Sequence, residues 1–448
     1  MEKVSQVTGL LDSMAAKIKD NRTQSLIDHN KLRLVKQCVL LTVTGNPDTN
    51  DADQHRLDAA LAEALGVDEN GSEELASQPT VSRFLNSLKK ADLDGLADWL
   101  LEFYLRNHAT RPRRLYLYAD GTAVECHGKQ EGAIYRAGKY KKEMLFPLTI
   151  FDHAGWLLAA KLRPGNKSEA KTIVEVLEWL VGKLRERWSN VEIVLIVDGA
   201  FRSSRLLNWC EKNKVFYLAG TANTFAVQMK VKEEAAALAK SFEKSHGKPR
   251  FLGNKGEKKS QEEHARIRAI EDARKRMEEE KALSQRRLRY ISEDMYRATT
   301  WPKEDPDRRI IFKLDYTDKG LETRCVLTNF TCYTAEQIYK MYCQRGTSET
   351  WIGEFKNCFN LRFNSQSFHA NQFRLYIHAA AYMLLWLLRS FCSPSFHNRS
   401  LMSLQKIFVL VPVAATFKPR RTLWELSDRY PYQTEFLRLT RKLQARAS

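Results

Sequence analysis

Five consecutive apolar residues, Ile193 to Val197 in 191-VEIVLIVD-198, leave this segment no polar face. A strand that is apolar on both faces has to be covered on both, so it belongs inside a sheet flanked by helices. Strand-like runs precede it at 115-LYLYAD-120, 144-MLFPLTIFD-152 and 156-WLLAAKL-162. The stretch 168-SEAKTIVEVLEWLVGKLRERW-188 then reads as a helix, opened by Ser168 and closed by basic residues. A short helix at 203–213 and a strand, 215-VFYLAG-220, follow. Three strands, a helix, a strand, a helix and a strand describe an α/β sheet of mixed direction.

The rest of the chain is organised around that pattern. Residues 1–108 place apolar side chains at three- and four-residue intervals and read as a helical N-terminal domain. Within it, Thr80 after Pro79 caps a short helix carrying Ser82, Arg83 and Lys89, the pattern of a DNA-recognition helix and also of many ordinary ones. Residues 109–221 form the first part of the core, and 222–333 read as an insertion. Its segment 255–289 is dense in both charges and reads as a long exposed helix, and strands resume at 309–318 and 322–330. Residues 334–395 return to the core, with a helix opened by Thr334 and an apolar helix at 376–391; 396–448 is basic and mostly helical by pattern.

Composition narrows the class. Lys and Arg number 72 against 54 Asp and Glu, a formal charge of +18, which favours an anionic partner, most commonly nucleic acid. The bland alternative is a basic protein without such a partner. The amino terminus shows no secretory signal, and the run 377-IHAAAYMLLWLL-388 is too short to span a bilayer. Eight cysteines form no C-x-x-C pair and no zinc spacing, as expected of a reducing compartment. A soluble, intracellular protein is expected.

The segment 341-MYCQRGTSETWIGEFKN-357 carries the chemistry. On one helix, Tyr342, Arg345, Glu349 and Lys356 would share a stripe about 60° wide, a poor core face. Asp120 and Asp198 end two of the strands, where an open α/β sheet presents its site. Either aspartate alone is also what a strand-end turn uses. With Glu349 they make three carboxylates, which repel one another unless a divalent ion lies between them; all-oxygen ligation suits Mg²⁺ or Mn²⁺. Two such ions activate an attacking hydroxyl and stabilise a leaving oxygen, while Arg345 and Lys356 hold the flanking phosphates. His127 reads as a hydrogen-bonding residue near Asp120.

The spacing Tyr342-x₂-Arg345-x₃-Glu349-x₆-Lys356 resembles the signature of bacterial insertion-sequence transposases with a DDE catalytic core. The blocks 77–86, 120–133, 158–166 and 197–220 resemble one branch of that group in order and content, with Lys129 where the branch more often has Gln. The resemblance covers roughly residues 20–440. It implies a ribonuclease-H-like fold, a mixed five-stranded sheet with flanking helices, interrupted by a mostly β insertion domain. It implies Asp120, Asp198 and Glu349 as a triad holding two Mg²⁺ (or Mn²⁺) ions, with Tyr342, Arg345 and Lys356 gripping DNA. Members cut double-stranded DNA at terminal inverted repeats and join the 3′-hydroxyls to target DNA, usually as homodimers, so a bacterial, cytoplasmic and nucleoid-associated protein is expected. Many form a hairpin with a flipped base, for which Trp351 is a candidate stacking ring and equally a candidate core aromatic. Two other readings stay open: a nuclease of the same fold that does not join strands, and a chemically silent DNA-binding derivative.

Overall fold

A computed structural model describes residues 1–23, 25, 27–67, 74–137, 141–166, 169–249, 286–418 and 421–447. Along the chain come α1 (Lys31–Val43), α2 (Gln78–Ser87), α3 (Lys90–Asn107), β1 (Arg114–Gly121), β2 (Leu148–Asp152) and β3 (Leu157–Lys161). Then follow α4 (Glu169–Arg187), β4 (Glu192–Val197), α5 (Ser204–Lys212) and β5 (Phe216–Thr221). After these come β6 (Arg287–Tyr296), β7 (Arg308–Thr317), β8 (Gly320–Thr328), α6 (Ala335–Cys343), α7 (Arg345–Asn357) and α8 (Phe368–Phe391). The chain forms two compact units, Met1–Ile193 with Gly346–Ser448, and Val194–Arg345.

In the first unit β3, β2 and β1 lie side by side in antiparallel order, and every residue of β2 is buried. The start of β4 lies beside the start of β1: the Glu192 amide donates to the Arg113 carbonyl at 3.2 Å and its carboxylate pairs with Arg114. The apolar run 377–388 is the middle of α8, a core helix packed on α1, α3 and β3. Among the described residues no helix is long and apolar enough to cross a membrane.

His378 of α8 lies in this core, 2% exposed, its Nε2–H donating to the Phe355 carbonyl. Burial pushes its pKa down from 6.5 to about 4. The unfolded chain takes up a proton there below about pH 6.5 and the folded chain only near pH 4. The neutral imidazole therefore supports the fold fully above pH 6.5. That support, about 3 kcal/mol, drains away as the pH falls toward 4. His378→Leu should flatten this part of the stability–pH curve in urea unfolding, and an undiminished slope would assign the acid sensitivity to other groups.

In the second unit β4 and β5 are parallel, and β8, β7 and β6 continue outward from β5, each antiparallel to its neighbour. The strands expected in a separate β insertion therefore extend the sheet of β4 and β5. Pairing of Leu218–Thr221 with Cys325–Thr328 closes an edge that β5 would otherwise leave open. Helices Phe225–Lys230 and Lys232–His246 come first in this region, so its beginning is not β. Asp315 of β7, 1% exposed, holds β6 to β7 through Arg287 and Arg289 and also pairs with Lys313.

Other expectations are corrected locally. Ser77, not Thr80, is the N-cap of α2; Pro79 then falls in the first turn, where a missing N–H costs nothing, and Lys89 lies beyond the helix as the N-cap of α3. Residues 396–448 are not mostly helical throughout, since Val413–Lys418 and Arg421–Leu426 form a two-stranded hairpin. The helix expected to carry Tyr342 through Lys356 is interrupted at Gln344, whose N–H turns back to the Met341 carbonyl at 3.2 Å. Ser168 and residues 255–285 lie outside the described residues; the last part of the expected charged helix, Arg287–Arg289, is strand.

Candidate active site

Asp120 owes its position to the alternation of β1. Leu115, Leu117 and Ala119 point into one buried layer, while Tyr118 and Asp120 share the opposite face. Tyr118 is buried, which pushes its hydroxyl up to about 12, and its ring meets the edge of Trp351 on α7 at 5.9 Å. Asp120, one pleat further on, is half-buried at the carboxyl end of the strand. At the other end of α7, Lys356 Nζ donates to the Ala123 carbonyl at 3.1 Å, just after β1. Glu349 precedes Lys356 by seven residues, about two helical turns, so both lie on one side of α7; Glu349 is exposed. Within the first unit the structure thus brings the helix of Glu349 and Lys356 against the end of the strand that bears Asp120.

Trp351 lies in the core of this unit. It is 8% exposed and is held between Tyr118 and the turn at Gly155. Gly155 has φ +91°, and a Cβ there would stand 2.6 Å from Trp386 and 2.9 Å from the Trp351 Nε1. A ring enclosed on those sides is a core aromatic, one of the two readings the sequence left open.

The segment after Asp120 is fastened by buried amides that the sequence reading did not single out. Gln130 Nε2 donates to the Phe363 carbonyl at 2.7 Å and to His127 at 3.1 Å. Asn371, fully buried at the start of α8, donates to Gln130 Oε1 at 3.0 Å and to the Ser365 carbonyl at 2.8 Å, and accepts from the Ser365 amide. The Glu131 amide donates to the Gln366 carbonyl at 2.9 Å. Loop 363–367, which follows the Glu349 helix, and segment 126–131, which follows Asp120, are thereby one hydrogen-bonded body. Two amides far apart in sequence carry no local signal of such pairing.

In the second unit Asp198 follows the last residue of β4 and caps the short turn Gly199–Phe201, its Oδ1 accepting from the Ala200 amide at 2.9 Å. Gly220, at the end of the neighbouring β5, leaves room for Tyr342. A Cβ on Gly220 would overlap the Tyr342 hydroxyl and stand 3.4 Å from the Gly199 nitrogen. The Tyr342 hydroxyl therefore lies by the turn that Asp198 opens. Tyr342 is near the end of α6 and Arg345 opens α7, both half-buried. Gly220→Ala should displace Tyr342 from beside this turn and lower the melting temperature by several degrees. An unchanged melt would mean that the ring gives way without cost.

Asp120, Asp198 and Glu349 are hard carboxylate donors, each half-buried or exposed, of the type that Mg²⁺ or Mn²⁺ takes. Among the described residues no group of three or more His, Cys, Asp or Glu side chains stands ready-assembled around one ion position. The donor chemistry fits a divalent ion. Elsewhere in the first unit, α2 places Arg83 fully on the surface and Ser82 half-buried beside it, with Val81, Phe84 and Leu85 turned inward.

No curated protein matches the chain in sequence. Among solved structures it is similar to a piggyBac transposase synaptic complex with hairpin DNA, at 11% identity and TM-score 0.43, covering 91% of this chain and 77% of that one. It is also similar to the Mos1 transposase paired-end complex with the left transposon end, at 13% identity and TM-score 0.17, over 45% and 61% of the two chains. A Mos1 mariner paired-end complex with Mn matches at 14% identity and TM-score 0.18, over 49% and 75%. Over residues 1–448 the chain matches Transposase DDE domain group 1, and it belongs to that family of transposases.

Proposed function

We propose that this protein is the transposase of an insertion sequence, cutting double-stranded DNA at terminal inverted repeats and joining the freed 3′-hydroxyls to target DNA. The observation that carries the reading is the placement of two aspartates at strand ends, with Glu349 on a helix whose Lys356 reaches the loop after Asp120, in a chain of the DDE transposase family. Asp120, Asp198 and Glu349 would hold Mg²⁺ or Mn²⁺, two ions per site. Bound there, the metal lowers the pKa of an attacking water and neutralises charge on the leaving oxygen.

The chain's own residues do the rest. Arg345 and Lys356 supply positive charge against the phosphates that flank the cut, and Tyr342 adds a hydroxyl beside the Asp198 turn. The Gln130–Asn371 amides keep the Asp120 segment from drifting as DNA enters. Residues 1–108 serve DNA binding and dimerisation, 109–221 and 334–395 the two parts of the catalytic core, 222–333 an inserted region and 396–448 a basic extension. Two copies acting as a homodimer in a bacterial cytoplasm, associated with the nucleoid, complete the reading.

The test uses the DNA that flanks the gene. End-containing duplex should be nicked in Mg²⁺ or Mn²⁺ and left whole in EDTA, and pre-cut ends should be joined to a plasmid. Cutting without joining under every divalent ion would move the protein to the nucleases. Tight binding with neither reaction would leave it a silent derivative.

A further inference from the structure

The helix α2 stands as a ridge between two clefts of the first unit. At about 100° per residue, its buried side chains Val81, Phe84 and Leu85 face one way, and Phe84 seats it on α8 through an edge contact with Phe373 at 5.8 Å. Pro79, Arg83 and Asn86 then occupy the opposite crown, an arc of about 60°. On one flank Thr80, Arg83 and Ser87 line a cleft of about 710 Å³ whose far wall includes Arg22 and Arg56. Asp20 and Glu74 already pair with those two arginines. On the other flank Gln78, Ser82 and Asn86 line a cleft of about 360 Å³, closed by Asn364 and Gln366 from the clamped loop.

We infer that α2 enters the major groove of duplex DNA, with Arg83 and Asn86 reading base edges and the two clefts receiving the sugar–phosphate backbones. This rests on the reading of the chain as a DNA-acting enzyme. Three observations carry it beyond that reading. A helix 10–12 Å across matches a groove about 12 Å wide, and backbone walls on both sides of the groove require a depression on both sides of the helix. The crown holds the two side-chain types that make paired contacts to guanine and adenine. Arg83 is exposed and has no acidic partner among the described residues, only the Thr80 hydroxyl at 3.3 Å. Asn86 spends one amide hydrogen on the Ser82 carbonyl at 2.8 Å. Its amide nitrogen otherwise makes only a 3.5 Å contact to the Ser82 hydroxyl, and its carbonyl oxygen has only a 3.5 Å contact from the Ser365 hydroxyl. One donor and one acceptor are what adenine's N7 and N6 demand. The smaller cleft is also lined by Arg374, which donates to the Pro47 carbonyl, and the Asn364 amide donates to Asp48; its other amides, Asn50, Gln78 and Gln366, are uncharged donors for phosphate oxygens.

Selection from a random duplex pool, with the full-length protein in EDTA so that nothing is cut, tests the assignment. The wild-type protein should enrich a short motif. Asn86→Ala should lose preference at one position, Arg83→Ala at a neighbouring one, each with roughly tenfold weaker binding of the selected duplex. Binding of unselected duplex should change much less for Asn86→Ala, since an amide carries no charge to the backbone. Both residues are on the surface, so matching thermal melts are expected and confirm folded protein. A motif unaltered by both variants, or enrichment of no duplex motif at all, overturns the inference. The selected duplex then goes to the wild-type protein with Mn²⁺. If it stays whole, the transposase reading fails while the groove-reading helix stands; if it is cut and the variants select the wild-type motif, the reverse holds.

Discussion

Glu349→Gln should abolish metal-dependent cutting, by on the order of 10³-fold or more, while leaving duplex binding within a few-fold of wild type. The same is expected of Asp120→Asn and Asp198→Asn. Each change keeps the shape of the side chain and removes one negative charge, so the loss falls on whatever that charge holds. For Asp198 the retained Oδ1 still accepts the Ala200 N–H, so the turn at Gly199–Phe201 is preserved. Glu349 is exposed, and its replacement should leave the melting temperature unmoved. On the proposed shared metal site, the double and triple variants should be little worse than the singles. Additive losses would mean that the three carboxylates do not serve a common step. Gel-resolved cleavage of end-containing duplex in Mg²⁺ and Mn²⁺ reads all of these, and wild-type rates in any single variant would remove that residue from the site.

How far the sequence reached depends on whether a signal is local. The five apolar residues of β4 declared a doubly covered strand, and the apolar run of α8 declared a core helix; both needed only their own composition. The strand ends at Asp120 and Asp198 were legible for the same reason. Trp351 was not, because its fate is set across the fold. It sits two residues from Glu349, about 200° around the helix, so an exposed carboxylate and a buried ring are natural neighbours in sequence. The interruption at Gln344 was equally hidden. Glycines at 346 and 353 weaken the helix, yet it breaks elsewhere, where α6 packs Tyr339 over Lys313 of β7 and α7 packs Trp351 against β1. The strands β7 and β8 were legible as strands, whereas the start of β6 read as charged helix; none showed which edge it would join, since hydrogen-bond partners of an edge strand are chosen by tertiary structure. The hairpin Val413–Leu426 had Thr422, Trp424 and Leu426 alternating in its second strand, a signal outweighed by the density of basic residues around it.

Asn371→Ala should cost about 3–5 kcal/mol of stability. Truncation leaves the Ser365 amide, the Ser365 carbonyl and Gln130 Oε1 each without a partner that Asn371 now supplies. A buried group so abandoned costs about 1–3 kcal/mol, and water entering the vacated space returns only part of it. Gln130→Ala should cost less, because the His127 carbonyl it frees is part-exposed and Asn371 keeps its bond to the Ser365 carbonyl, leaving the buried Phe363 carbonyl as the main loss. The double variant should lose less than the sum, since both singles already break the shared 3.0 Å bond. Catalysis separates a clamp from a mere core residue. At a temperature where the variant is folded by circular dichroism, a loose 126–131 segment lets Asp120 wander by a fraction of an ångström, and cutting should fall by as much as about 10²-fold. Gly155→Ala perturbs the same unit through Trp351 and Trp386 without touching the amides, and so serves as the comparison for nonspecific damage. If Asn371→Ala melts like wild type and cuts at full rate, the two loops hold their places by packing alone and the amides contribute nothing to the site.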